Sequence, residues 1–129
     1  LQSDYDAETD TLYLYSKKKP VASSVELGNL IIDLGKDGSV VGIECLNATR
    51  TLTHLAVVYS PKAWKDEHRL DEDVLKQIQK ARVSIHTEAD LFILTLELYA
   101  QDQTIIKGNL GMPLPAGNEK ELLKILNSA

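Results

Sequence analysis

The stretch Leu30 to Leu46 reads LIIDLGKDGSVVGIECL, and its reading decides the fold. Its first five residues alternate: Leu30, Ile32 and Leu34 share one face, Ile31 and Asp33 the other. Gly35, Lys36, Asp37 and Gly38 then supply a turn in which a positive φ is cheap. Val40 to Leu46 returns, with Val41, Ile43 and Cys45 on the apolar side and Glu44 on the side of Asp33. Gly42 leaves that second side bare at one position, as a bulge or a closely packed neighbour would require. Strands joined by so short a connection run antiparallel. A single layer of this size needs a helix, a second sheet or a second chain against its apolar face.

Working toward the N-terminus, Ser3 to Ser16 reads SDYDAETDTLYLYS, a strand, a turn and a strand. Ala7 to Asp10 form the turn, because Asp and Thr side chains bond to nearby backbone groups. Leu12 and Leu14 point one way, Tyr13 and Tyr15 the other. Lys17, Lys18, Lys19 and Pro20 interrupt the pattern and read as a solvated hairpin tip, since adjacent ammoniums repel and proline ends a ladder. A weak nucleic-acid or phosphate contact through these lysines is the functional alternative, opposed by the acidic residues around them.

The ordered set Asp6, Glu8, Asp10, Leu12, Tyr13, Asp33, Gly38, Gly42, Ile43, Glu44 and Ala48 resembles the small proteins grouped as domain of unknown function 2283. The resemblance covers roughly residues 4–50 and implies an antiparallel β module with no established reaction. It suggests an antitoxin-like role by association only. Family members are about half this length, so the remaining residues depart from the pattern.

Beyond the module, Leu52 to Tyr59 reads as an extra strand or a buried crossing segment. Ser60-Pro61 is an N-cap followed by proline at the first helical position, which predicts a short helix to about Glu67 with Trp64 as its apolar contact. A second helix is expected from Leu70 or Asp71, with Val74, Leu75, Ile78 and Ala81 as its stripe and Asp71, Glu72 and Asp73 in its first turn. Asp66, Glu67, Asp71, Glu72 and Asp73 follow no calcium-loop pattern and read as capping and solvated residues. His54, His68 and His86 are scattered, without metal-ligand spacing.

Val83 to Leu98 repeats the opening rhythm at an offset of 80, with Asp10 against Asp90, Leu12 against Phe92 and Leu14 against Leu94. This raises an internal duplication over residues 83–110, partial because the Gly-Ile-Glu strand is missing. Thr104 to Lys107 is one more strand. Gly108 to Pro113 is not a phosphate loop, and Gly111, Pro113, Pro115 and Gly117 read as an irregular lead-in. Asn118 and Glu121 then form a capping box, and Leu122, Leu123, Ile125 and Leu126 give a short helix an apolar face that must dock on something.

The fold class expected is therefore α+β: antiparallel β-meander sheets packed with short helices. One compact unit spans residues 1–129, with a β module at 4–50, a mainly helical connector at 51–82, and repeat-like strands plus a helix at 83–129. Of the 129 residues, 43% are hydrophobic and 26% charged, which is ordinary globular usage. The net charge of -5 weakens non-specific attraction to nucleic acid or anionic lipid. One cysteine, Cys45, excludes an internal disulfide, and its apolar strand face marks it as structural rather than nucleophilic. No apolar run is long enough for a membrane helix, no basic-then-apolar leader opens the sequence, and the cytoplasm is the expected compartment. No catalytic, cofactor or metal constellation emerges. Asn47-Ala48-Thr49 matches a glycan acceptor pattern that is frequent by chance. The leading expectation is a non-enzymatic protein-interaction module whose partner is another protein or a second copy as a homodimer. The competing class is a small hydrolase or ligand-binding protein that uses Asp33 and Glu44 as an acid–base pair.

Overall fold

The computed structural model describes residues 1–59 and 70–113 of the chain. Among the described residues, nine strands form two antiparallel sheets accompanied by two short helices, the α+β class expected. The first sheet holds β1 (Gln2–Asp6), β2 (Thr11–Tyr15), β3 (Ser23–Leu27), β4 (Leu30–Leu34) and β5 (Val40–Cys45), in the order β1-β2-β5-β4-β3. Helix α1 (Ala48–Leu55) and strand β6 (Val57–Tyr59) follow, then α2 (Glu72–Lys76), β7 (Ile78–Glu88), β8 (Leu91–Ala100) and β9 (Ile105–Pro113). The second sheet runs β6-β9-β8-β7.

Period-two patterning places the core. Leu12 and Leu14 stand opposite Cys45 and Ile43, and on the other side of β5, Ile32 and Leu30 meet the same two residues. Each of these side chains is buried. They share one core with Phe92, Leu94, Leu98 and Ile106 from the second sheet and with Ala48 and Leu52 from α1. Phe92 is fully buried, and a core side chain of this kind contributes about 1.5–3 kcal/mol through removal from water. At one edge, β1 leans on β7: the Ser3 hydroxyl donates to the Ile78 carbonyl at 2.8 Å, and the Leu1 amine donates to the Ala81 carbonyl at 3.2 Å.

Several local expectations change. Strand β3 falls outside the elements expected, although Val25 and Leu27 are buried and Ser24 and Glu26 exposed along it. Because β2 pairs with β5 rather than β3, Lys17 to Pro20 cross from the middle of the sheet toward its edge instead of forming a hairpin tip. The segment from Leu52, expected as an extra strand or a buried crossing segment, begins as the second half of α1, and only Val57–Tyr59 is a strand. The second helix stops at Lys76; Ile78 and Ala81 belong to β7. Gly111 and Pro113, expected in an irregular lead-in, belong to β9, and Pro115 and Gly117 lie outside the described residues. The helices expected near 61–67 and 118–126 lie outside the described residues. The two echoing hairpins also close differently: four residues separate Asp6 from Thr11, while only Ala89 and Asp90 separate Glu88 from Leu91.

Candidate functional site

The outward face of the first sheet gathers the carboxylates singled out in the sequence. The five strands carry Asp4, Asp6, Glu26, Asp33 and Glu44 but no Lys, Arg or His. Across the sheet, Asp4, Tyr13, Glu44, Ile31 and Glu26 form one transverse row; Gln2, Tyr15, Gly42, Asp33 and Ser24 form the next. Tyr13 is 37% exposed. Ser24 donates its hydroxyl to Asp33 at 2.6 Å. The bare position at Gly42 has a steric reason: a Cβ there would lie 3.0 Å from the Asp33 carboxylate, which leans across it.

Asp33 and Glu44 share this face but do not face each other. Asp33 stands opposite Gly42, and Glu44 opposite Ile31. Diagonal neighbours of this kind are roughly 7–8 Å apart, well beyond the ~3 Å at which two carboxyls share a proton. The arrangement therefore lacks the geometry of a proton-sharing dyad. Neither residue lines the cavities beside α1 or between the sheets.

The acidic first turn has a role that sequence reasoning missed. Asp10 accepts hydrogen bonds from the Tyr5 hydroxyl at 2.5 Å, the Thr49 hydroxyl at 2.7 Å and the Thr49 N–H at 3.2 Å, and its own carbonyl accepts from the Ala48 N–H at 2.8 Å. It thus caps the N-terminus of α1 from 39 residues away. Asn47, the residue next to the helix start, makes no side-chain cap bond. Partial burial opposes ionisation of Asp10, but the bonds from Tyr5 and Thr49 outweigh it and hold the carboxyl below its ordinary range. Burial, and then the Asp10 carboxylate, push the Tyr5 phenol up. The signal available in the sequence was the pairing of an acidic turn with Ala48-Thr49, a set that marks a clasp rather than chemistry.

The other candidates disperse. Cys45 is buried against the core, and burial together with the Asp10 charge pushes its thiol up to about 12, a poor nucleophile. Asp71 caps α2 by accepting from the Val74 N–H at 3.0 Å, as expected of the acidic group. Asp66, Glu67 and His68 lie outside the described residues. His54 is exposed on α1 and His86 on β7. Among the described residues, no group of three His, Cys, Asp or Glu side chains is placed to hold a metal ion. Lys19 pairs with Asp37 at 3.5 Å, both exposed. No helix among the described residues is long and apolar enough to cross a membrane.

Comparison with known proteins gives the chain its relatives but no reaction. Residues 2–48 match the family model described as "Protein of unknown function (DUF2283)". An uncharacterized protein of Methanocaldococcus jannaschii is 30% identical over 96 residues, covering 74% of this chain and 70% of that one. A protein named "Putative hypoxanthine phosphoribosyltransferase", from Methanosarcina mazei, is 39% identical over 46 residues, covering 36% of this chain and 37% of that relative, so the chain spans little more than a third of its length. No solved structure matches. With two thirds of the Methanocaldococcus protein covered at this identity, the chain belongs to the same family as that protein, and its residues 2–48 are the DUF2283 module.

Proposed function

We propose that this protein is a non-enzymatic protein-interaction module, and that the outward face of the first sheet is its contact surface. One observation carries the reading: five carboxylates, two tyrosines and Ile31 stand on an open sheet face whose strands hold no cation. Such a face complements a partner segment rich in Lys or Arg. The carboxylates steer its approach, and the tyrosine rings supply apolar area and cation–π contact. An antitoxin-like role is one form this takes; a homodimer through the same face is disfavoured, because it sets carboxylates against carboxylates. The unpaired, buried Cys45 suits a reducing compartment such as the cytoplasm.

The hydrolase alternative keeps no proton-sharing dyad, since Asp33 and Glu44 stand diagonally across β4 and β5. The phosphoribosyltransferase name belongs to a relative matched over 46 residues, and no glycine-rich phosphate loop lies in this chain's sequence to extend that name to it. Nucleic-acid binding through Lys17, Lys18 and Lys19 has Lys19 already paired with Asp37.

The test is purification of the full chain from its own cells at low salt, beside two variants. One combines Tyr13→Ser, Asp33→Asn and Glu44→Gln; the other replaces Lys17, Lys18 and Lys19 with Ala. A stoichiometric protein partner retained by the parent and the lysine variant, lost by the face variant and released by salt, is the expected result. Equal retention by the face variant, or a bound small molecule in place of a protein, overturns the proposal.

A further inference from the structure

The outward face of the second sheet is unlike that of the first. Strands β6 to β9 pair so that Arg82, Glu97, Lys107 and Val57 form one transverse row. Lys80, Tyr99, Ile105 and Tyr59 form the next. Leu98 and Ile106, which lie between the rows along β8 and β9, are buried, so alternation turns both rows away from the core. Lys80, Arg82 and Lys107 are exposed, and Val57 and Tyr59 are 57% and 55% exposed. The Lys80 ammonium stands 5.8 Å from the centre of the Tyr99 ring. Glu97, the one carboxylate in the two rows, accepts from the Tyr99 hydroxyl at 2.8 Å. The two sheets share one core, so this face and the acidic face of the first sheet look away from each other. Resting on the reading of the acidic face as a contact surface, we propose that its partner is the cationic face of a second copy of this chain, joined head to tail.

Charge selects this occupant. The two rows set three cations against one carboxylate, while the strands of the first sheet carry five carboxylates and no cation. Among the described residues of the cationic face the other carboxylate, Glu88, lies at the far end of β7. Tyr13 on one face and Tyr59 on the other give each a ring for apolar contact, and Tyr13 also meets the incoming cations. Single-stranded nucleic acid uses cations beside rings too, but a chain of net charge -5 with Glu97 among those cations repels phosphates. Contact between unlike faces leaves one face of each copy free, so the assembly does not close at two copies but propagates. The five strands of the first sheet, at about five residues each, give a flat area of roughly 400 Å². That is about half of the ~800 Å² per partner in stable complexes. Association is therefore weak, dependent on concentration and sensitive to salt.

Sedimentation of the full chain across a hundredfold concentration range at low salt should show a mass that rises past that of a dimer, and high salt should return it to the monomer. Two variants then separate the faces. Glu26→Lys with Glu44→Lys spoils the acidic face, and Lys80→Gln with Arg82→Gln spoils the cationic one. Each variant alone should stay monomeric. Mixed in equal amounts they should form a one-to-one dimer that grows no further, because each keeps the face that the other lacks. A parent that stays monomeric, or whose mass levels off at a dimer, overturns the proposal without any variant having to fold. So does a mixture that remains monomeric while both variants melt as the parent does. A parent that binds a single-stranded oligonucleotide through Lys80 and Arg82, but not its own copies, overturns it too. A monomeric parent that still retains a different protein through its acidic face sinks the head-to-tail contact alone; one that retains none sinks the reading of that face as well.

Discussion

Asp10 carries a backbone φ of 52°, in the left-handed region that Asp tolerates better than most residues. From there its carboxylate gathers Tyr5, Thr49 and the first turn of α1 into one clasp. Replacing it with Asn keeps the shape but removes the charge from three converging donors, so stability should fall by about 1–3 kcal/mol. Because the folded carboxyl titrates below its ordinary 3.8, its contribution is complete above that pH and is lost as pH falls through the lower folded value. The Tyr5 phenol is raised, so its share is complete below pH 10 and is lost as pH climbs beyond that. Urea midpoints measured from pH 2.5 to 7 should show a steeper acid loss in the parent than in Asp10→Asn, and parallel curves would refute the clasp. At this scale much was legible. Alternation placed Leu30, Ile32, Val41, Ile43 and Cys45 inside, and all are buried. The partners of Asp10 were not legible, because a bond across 39 residues depends on where α1 lands, and no local pattern marks that.

Elements were harder to read than residues, and the reasons are physical. β7 has a register shift between Ile78 and Lys80, so its buried residues Ile78 and Ala81 fall three apart, mimicking a helical stripe. α1 ends inside the apolar run Leu55 to Val58, which on its own suggests an extra strand or a buried crossing segment. Its docking against β9 rests on one glycine. A Cβ on Gly108 would stand 2.8 Å from the Leu55 carbonyl oxygen and 3.3 Å from Ala56, so the end of α1 must move to admit it. At Gly111, three residues along the same strand, a Cβ would meet its nearest neighbour among the described residues, a flexible Ile93 carbon, only at 4.0 Å. Gly108→Ala should cost about 1–3 kcal/mol through overpacking. Gly111→Ala should be neutral or stabilising by up to ~1 kcal/mol, since the unfolded chain loses freedom. Thermal melts of the two variants give the contrast; equal effects would mean that α1 does not press on β9.

At the scale of the whole molecule, the DUF2283 module ends before its core is closed. Within residues 2–48, Leu12, Leu14, Leu30, Ile32 and Ile43 present one oily face, and the cover over it comes from α1 and from Phe92, Leu94, Leu98 and Ile106, far along the chain. Covering each large side chain is worth about 1.5–3 kcal/mol, while the net stability of a domain is only ~5–15 kcal/mol. Losing the second sheet therefore removes more than the first sheet has in reserve, and a chain of some 55 residues is marginal even when its core is complete. A fragment of residues 1–56 should then be unfolded as a dilute monomer and should gain sheet structure only as two copies associate through their oily faces, leaving the acidic faces outward. Circular dichroism and sedimentation across a hundredfold concentration range test this together. The sheet signal and the dimer mass should rise in step. A dilute monomer with a full sheet signal and a cooperative melt would show that the second sheet is an addition rather than the missing half of the core.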